Sequence, residues 1–210
     1  MRSASCVFSL ILVVLPVAEV RIQPVDEAPQ RPDFLAFRTE LRQAVEKHDA
    51  AGVLRAVHPK IKNGFDGDDG VEAFKKKWNL SQPDSELWKE LGAVLALGGT
   101  FTERDTFTAP YTFSKWPDSV DSFDHVAVIA SGVRIRSGAD VESAPITTAS
   151  FSILELDSDS QPDTNGWTRV LIDGKRGYIK SEFVRSPIDY RAMFQFSNGR
   201  WWMTFFAAGD

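Results

Sequence analysis

The chain has few of the side chains that most catalytic and metal sites require. Its 210 residues include one cysteine, Cys6, and three histidines, His48, His58 and His125. The histidines do not stand at a metal-ligand spacing such as His-x-x-x-His, and the sequence contains neither a Gly-x-Ser-x-Gly elbow nor a P-loop. We therefore expect no catalytic residue, no metal and no other cofactor.

Positive charge is also scarce. The chain has 24 Lys and Arg side chains against 29 Asp and Glu side chains, which gives a formal net charge of −5. Proteins that bind nucleic acid concentrate Lys and Arg to neutralise phosphates. The composition therefore argues against a nucleic-acid partner.

A long hydrophobic run is missing, but a short one stands at the N-terminus. Met1-Arg2-Ser3 precedes an apolar stretch from Val7 to Val17, which is typical of a secretory signal. The stretch is too short to span a bilayer comfortably, although a retained membrane anchor is the alternative. We expect a signal peptide over residues 1–22, cleaved between residues 19 and 23. Its removal would take away Cys6 and exclude disulfides, thiolate zinc sites and cysteine nucleophiles.

The localisation follows from this leader. We expect a periplasmic or secreted bacterial protein that meets the membrane only through the leader, before cleavage.

After the leader, the sequence predicts a linker and then a mainly helical region. Residues 23–32 contain three prolines and few apolar side chains, which predicts a solvated linker. Residues 33–120 begin with apolar side chains at helical spacing. Helices are predicted to start with Asp33 as the N-cap, at Asp49, at Val71 and at Asp84, and the last of them ends at Gly98-Gly99.

An acidic cluster precedes and enters the third predicted helix. It consists of Asp66, Asp68, Asp69 and Glu72, whose oxygens suit calcium in type. Their spacing lacks the glutamate that an EF-hand has at loop position twelve. Asp69 directly precedes the helix, so the sequence favours a helix N-cap over a calcium ligand.

Beyond Gly99 the pattern changes to short β-rich segments bounded by Gly, Pro, Asp and Ser. Tight hairpins are predicted at Asp173-Gly174 and Asn198-Gly199, because these residue types tolerate positive φ. The predicted strands are 109–113, 126–130, 133–136, 150–156, 167–172, 176–179, 191–196 and 200–206.

Residues 121–186 carry three motifs in a characteristic order. They are Val133-Arg134-Ile135-Arg136-Ser137-Gly138, then Gly166-Trp167-Thr168-Arg169-Val170, and then Gly174-Lys175-Arg176-Gly177-Tyr178-Ile179 with the closing Glu182-Phe183-Val184. In this order and spacing they resemble a bacterial SH3 (SH3b) domain. The resemblance implies a small β-barrel, a fold that also hides the edges of short strands.

The SH3b resemblance also suggests a kind of ligand. Some SH3b domains bind peptidoglycan peptides, and others pack against a neighbouring domain. Aromatic side chains near the loops of SH3-like barrels can line a peptide groove, which makes Tyr111, Trp116, Trp167 and Tyr178 candidate ligand-binding residues. The expected partner is a peptidoglycan peptide or an envelope protein.

A second resemblance flanks this region. Asp49-Ala50-Ala51-Gly52-Val53-Leu54, Gly70-Val71-Glu72-Ala73-Phe74 and Gly199-Arg200-Trp201-Trp202-Met203-Thr204 are similar to parts of NTF2-like (SnoaL-type) domains. This implies that the aromatic-rich hairpin of residues 187–210 packs back on the N-terminal helices. The expected fold class is α+β, with a helical N-terminal region, an SH3b-like small β-barrel and this C-terminal β-hairpin.

Together these features favour an exported, non-enzymatic binding or scaffold protein. The alternative is an enzyme or small-ligand binder with an NTF2-like pocket. Such a pocket needs an acid or a base inside an aromatic-lined cavity, and Asp105, Asp121 and His125 are the candidates for that role.

The leader prediction can be tested by the intact mass of the protein isolated from its native envelope. We expect the mass of a chain that starts between residues 19 and 23, because the apolar stretch is too short to remain as an anchor. The mass of the full-length chain would contradict this prediction.

Overall fold

The computed structural model describes residues 20–157 and 165–209. Most of the predicted leader, residues 1–19 with Cys6, lies outside the described residues. Its last residues lie inside them: Arg21 forms a β-bridge with Ser152, and the Ile22 amide donates to the carbonyl of Phe151 at 2.8 Å. Residues 20–22 therefore belong to the folded part of the chain.

The described residues form five α-helices, twelve β-strands and two short 3₁₀-helices, Ala28–Gln30 and Ser181–Phe183. The fold is therefore α+β, as the sequence predicts. None of the helices in these ranges is long and apolar enough to cross a membrane. The helices are α1 (Pro32–Glu46), α2 (Ala50–Ala56), α3 (Val71–Trp78), α4 (Leu87–Ala96) and α5 (Tyr111–Ser114). The strands are β1 (Val57–Lys62), β2 (Thr100–Glu103), β3 (Thr106–Ala109), β4 (His125–Val128), β5 (Val133–Arg136), β6 (Pro145–Ala149), β7 (Ile153–Leu156), β8 (Trp167–Ile172), β9 (Lys175–Lys180), β10 (Val184–Arg185), β11 (Arg191–Ser197) and β12 (Arg200–Ala207).

The first sheet combines strands from both ends of the described chain. Its order is β1-β12-β11-β3-β2, with β1 parallel to β12 and all other neighbours antiparallel. The C-terminal hairpin of β11 and β12 thus lies in the middle of the sheet. The N-terminal region supplies the strands on either side of it.

An aromatic cluster joins this hairpin to α1. The ring centroid of Phe34 lies 4.3 Å from that of Phe107, 4.8 Å from that of Trp201 and 5.6 Å from that of Phe194. All four side chains are buried in one apolar core that also contains residues of α2, α3 and α4. The hairpin therefore packs on the helices.

The second sheet has the order β10-β4-β7-β8-β9-β5-β6, and its neighbouring strands are antiparallel. The chain builds it between β3 and β11, so it is an insertion into the first sheet. Among the described residues, β10 and β6 are its outer strands, and no strand pairing closes it into a barrel. Gly177 on β9 lies so close to the core that an added Cβ would meet Ile135 Cγ2 at 2.6 Å.

Both predicted tight hairpins are confirmed. Asp173 and Gly174 connect β8 to β9 with φ values of 50° and 71°, and Asn198 and Gly199 connect β11 to β12 with φ values of 52° and 80°. Positive φ at both central residues is the geometry that these residue pairs favour.

The predicted strand over residues 109–113 is wrong over most of its length. β3 ends at Ala109, and residues 111–114 form α5 instead. Pro110 lacks an amide hydrogen and so cannot donate to a strand ladder, which ends the strand there. Among the strands that are missing from the predicted set, β2 and β6 are short and lack alternating buried side chains.

Asp33 and Asp69 are not the helix caps that the sequence predicts. α1 begins at Pro32, with Arg31 at the N-cap, and Asp33 lies in the first turn. The Asp33 carboxylate accepts hydrogen bonds from Arg31 at 3.0 Å and from the Trp201 indole at 2.9 Å, and these bonds lower its pKa to about 2. It therefore joins α1 to β12.

The carboxylate of Asp69 binds the end of β1, which precedes it in the chain. Gly70 is the N-cap of α3 and provides no side-chain cap. Asp69 instead accepts from the Lys62 ammonium and from the Asn63 amide, and the bond from Lys62 lowers its pKa. The acidic turn is thereby tied to the end of β1.

The stretch predicted to be a solvated linker is held in place. The Glu27 amide donates to the Gly99 carbonyl at 2.9 Å, and the Glu27 carboxylate accepts from the Phe101 amide at 2.8 Å. Asp26 forms a two-point ion pair with the buried Arg38 at 2.6 and 2.7 Å. Residues 23–32 are therefore part of the folded body.

The aromatic cluster predicts a position-specific loss of stability. Phe194→Ala should lower the free energy of unfolding by about 3–5 kcal/mol, because it removes a buried ring from the centre of the cluster. Its neighbour Gln195 is exposed on the same strand, so Gln195→Ala should cost less than about 0.5 kcal/mol. Urea unfolding followed by far-UV circular dichroism measures both values. Equal losses for the two variants would contradict the central role of the cluster.

Candidate functional site

The four aromatic residues predicted to bind ligand do not form one site. Tyr111 and Trp116 belong to a third apolar cluster, with Ile22, Ala127 and Ile153, where the second sheet packs on α5 and on the segment before α1. Tyr111 is almost fully buried, and burial raises its pKa to about 12. The Trp116 indole donates to the Val120 carbonyl at 2.9 Å. These two side chains therefore hold the two halves of the molecule together.

A charged side chain adds to this contact between the sheets. Arg185 on β10 is buried, and its guanidinium donates to the carbonyl of Tyr190, just before β11, at 2.6 Å. Burial lowers the pKa of Arg185. The second sheet is thus tied to the first by a polar as well as an apolar contact.

Trp167 lines a cleft of about 430 Å³ on the second sheet, and Tyr178 does not. β5, the start of β8, the end of β9 and the 3₁₀-helix at Ser181–Phe183 surround this cleft. We call this opening the Trp167 cleft. Its main side chains are those of Arg134, Arg136, Val141, Trp167, Lys180 and Phe183.

Among the described residues that line the cleft, three side chains are cationic and one, that of Glu182, is a carboxylate. The Lys180 ammonium lies 4.9 Å from the centre of the Trp167 ring, within the range of a cation–π contact. Arg136 donates to the Ser143 carbonyl at 2.6 Å and so holds the loop that carries Val141. Arg134 is exposed and pairs with no carboxylate in the part of the chain that the structure describes. The cleft is a local positive site on an acidic protein.

The cleft also exposes apolar side chains. Val141 is 55% exposed and Phe183 is 37% exposed, whereas core side chains are buried. Both side chains are therefore accessible to a ligand. A cationic rim beside apolar walls suits a ligand with both carboxylates and carbon surface.

Backbone hydrogen bonds connect the walls of the cleft to one another. The Ser181 amide donates to the Gly166 carbonyl at 3.0 Å, and the Ile129 amide donates to the Phe183 carbonyl at 2.9 Å. Gly166 has a φ of 76°, which turns the chain directly before Trp167. The site is therefore carried by strands and by a turn that are hydrogen-bonded to one another.

Sequence reasoning identified Trp167 but missed its cationic neighbours. On β5 the buried Val133 and Ile135 alternate with Arg134 and Arg136, which places both arginines on the opposite face. That alternation was visible in the sequence. The missing information was that Lys180, from another strand, borders the same cleft.

The residues proposed for an enzymatic pocket lie outside the Trp167 cleft, with Asp105 and Asp121 exposed and His125 half-buried. Asp105 is half exposed and accepts from Arg31, and Asp121 is exposed and accepts from the Phe123 amide. His125 lies beside the Asp121 carbonyl at 3.0 Å. Among residues 20–157 and 165–209, none of the three therefore faces the apolar interior of the first sheet, which the aromatic cluster fills.

The described residues contain no group of three or more His, Cys, Asp or Glu side chains placed to hold a metal ion. This includes Asp66, Asp68, Asp69 and Glu72, of which Asp69 is bound to Lys62. Calcium therefore gains no support from their arrangement.

The position of Tyr111 predicts how its substitution acts. Its hydroxyl has no hydrogen-bond partner in the described part of the chain, so Tyr111→Phe should leave the melting temperature unchanged or raise it. Tyr111→Ala should cost about 3–5 kcal/mol of stability, because it opens the contact between the sheets. Thermal unfolding and a peptidoglycan-binding assay of the Phe variant check this. Weaker binding at an unchanged melting temperature would assign Tyr111 to a ligand site instead.

Comparisons with known proteins add no relative to this picture. The chain matches no protein-family model, no curated protein and no solved structure at a significant level.

Proposed function

We propose that this chain is an exported, non-enzymatic binding protein whose Trp167 cleft holds a short cell-wall peptide. In this proposal residues 121–186 are an SH3b-like module. The observation that carries it is the cleft itself, where Trp167 and Phe183 lie among Arg134, Arg136 and Lys180.

The positions of the motif residues support an SH3b-like module. Trp167 begins β8, Gly174 lies in the turn between β8 and β9, and Gly177 lies where the core leaves no room for a side chain. Each residue type thus meets a local requirement of the sheet. The sheet is open between β10 and β6, so we propose a likeness to this family in strand motifs and not in barrel closure.

The chemistry of the cleft supports a peptide that carries carboxylates. Peptidoglycan stem peptides are short, extended and bear free carboxylates, which three cations can bind while the apolar walls cover the carbon chain. Electrostatic attraction of this kind acts over about 8–10 Å at physiological salt, so it also selects against cationic ligands at this cleft. A purely apolar ligand would leave the cations without a role.

The first sheet and its helices act as the scaffold in this proposal, in line with the NTF2-like resemblance of the flanking segments. The second sheet emerges from β3 and returns to β11, and both connections are anchored in the apolar core or beside it. Such a base presents the cleft on a rigid surface.

Export remains part of the proposal. The contacts of residues 20–22 favour a signal-peptide cleavage site ahead of them. Val20 and Ile22 both make backbone hydrogen bonds with residues 151–153, and Ile22 is buried. Cleavage ahead of Val20 keeps these contacts. We therefore place it in the early part of the range predicted from the sequence.

Removing charge from the cleft should weaken peptide binding. The double variant Arg134→Gln and Lys180→Gln is expected to raise the Kd for a soluble stem peptide about two- to thirtyfold, since exposed charge pairs contribute roughly 0.2–1 kcal/mol each. Isothermal titration calorimetry at low and high salt measures the effect, which should shrink as salt rises.

Lys175→Gln is the matched control, because Lys175 is exposed on the same strand as Lys180 but lies outside the cleft. A stem peptide with amidated carboxylates tests the ligand side in the same way. Equal affinity of the wild-type protein, the double variant and Lys175→Gln for the stem peptide would overturn the cell-wall assignment. Capture of an envelope protein without binding of the peptide would also overturn it.

A further inference from the structure

A second opening lies in the second sheet, at a different place from the Trp167 cleft. It is a groove of about 410 Å³ between β6 on one side and β7 with the β8–β9 turn on the other. Its apolar floor consists of the buried Ile135, Ile153 and Leu154 and of the partly exposed Leu171 and Ile172. Thr147 and Thr148 of β6 line its wall. None of the described residues lines both the groove and the cleft.

The strand that lines this groove is an unprotected edge. Folded proteins usually guard outer strands with charged side chains, proline or extreme shortness, because the free backbone groups can pair with another strand. In the described part of the chain, the two sheets have four outer strands. β1 contains Pro59, Lys60 and Lys62, β2 contains Glu103, and β10 has two residues, one of them Arg185.

β6 differs from these three strands. It contains no charged residue, and its one proline, Pro145, is at its first position. Its first four residues are exposed, and Ile146 is 46% exposed. The free backbone of β6 therefore adjoins an apolar groove, which is the combination that strand addition uses: backbone bonds give affinity and alternate side chains enter pockets.

The charge of the groove indicates which kind of peptide it can bind. Glu155 and Asp173 lie at its border, together with His125, and no Lys or Arg is among the described residues that line it. This is the opposite charge to that of the Trp167 cleft. A peptide that presents Lys or Arg beside apolar side chains complements the groove, whereas a second copy of β6 would bring another pair of acidic borders and be repelled.

We propose that the groove is a binding site for an extended, cationic peptide segment, which adds to β6 as a further strand. Its backbone pairs with β6, its apolar side chains cover the partly exposed Leu171 and Ile172, and its Lys or Arg side chains approach Glu155 and Asp173. This site is separate from the Trp167 cleft. It favours cationic ligands, whereas the cleft favours carboxylates.

The probe for this site is a fluorescein-labelled nine-residue peptide in which valines alternate with lysines and threonines. Two counterparts accompany it: one has glutamates in place of the lysines, and the other has methyl groups on alternate backbone amides. We expect saturable binding of the first peptide by fluorescence anisotropy, with amide chemical-shift changes on β6. Both counterparts should bind at least tenfold more weakly.

Variants of the groove provide the complementary test. The double variant Glu155→Gln and Asp173→Asn should raise the Kd of the lysine peptide about two- to thirtyfold and reduce its salt dependence. Asn tolerates the positive φ of Asp173, so the turn should be kept. Glu142→Gln, an exposed carboxylate outside the groove, is the matched control. Arg134→Gln should leave this binding unchanged and thereby separates it from the Trp167 cleft.

Three results would overturn the proposal. They are equal binding of the glutamate peptide, binding that survives backbone methylation, and a concentration-dependent dimer by analytical ultracentrifugation with shifts confined to β6. The last result would show that a second copy of the chain, and not a cationic peptide, covers the edge.

Discussion

The contact between Phe34 and the C-terminal hairpin is the interaction on which the rest of the structure depends. Phe34 lies on the first helix, and three rings around it belong to β3, β11 and β12. Asp33, its neighbour in sequence, accepts a hydrogen bond from Trp201 of β12. One turn of helix thus joins the beginning of the folded chain to its end, by an apolar and a polar contact together.

This joint explains how the second sheet can be both inserted and well placed. The strands on either side of the insertion, β3 and β11, are paired with each other, from Thr106↔Gln195 to Ala109↔Ala192. The two ends of the inserted segment are therefore held side by side. Tyr111 and Arg185 then fix its orientation close to those ends, one by filling an apolar contact and the other by binding a backbone carbonyl. Of the two openings of the second sheet, the Trp167 cleft lies apart from the Tyr111 cluster, whereas the groove borders that cluster through Ile153.

Sequence patterns identified the elements whose signals are local. The bounds of β5 and β8 agree with the predicted strands, because alternating side chains mark β5 and glycine-containing turns bound β8. The cap at Asp49 was also predictable, since its carboxylate accepts from an amide three residues ahead. β6 was not, because a strand with four exposed residues has no alternation to detect.

The candidate site was less accessible to sequence reasoning, for a related reason. An aromatic residue near a loop can line a cleft, as Trp167 does, or fill a contact between two sheets, as Tyr111 does, and only the tertiary arrangement separates these outcomes. Asp69 shows the same difficulty for a charged residue. It occupies a position suited to a helix cap, yet Lys62 on the preceding strand takes its carboxylate. Sequence reveals which chemistry a side chain offers, and the fold decides which partner receives it.

The parallel pairing of β1 with β12 sets the order in which the molecule can be completed. Val57 lies opposite Met203, so this pair closes only after all the residues between them are available. Contacts between such distant residues form slowly, because a long loop must close first. During synthesis the N-terminal helices accordingly lack the central strands of their sheet until β11 and β12 have been made.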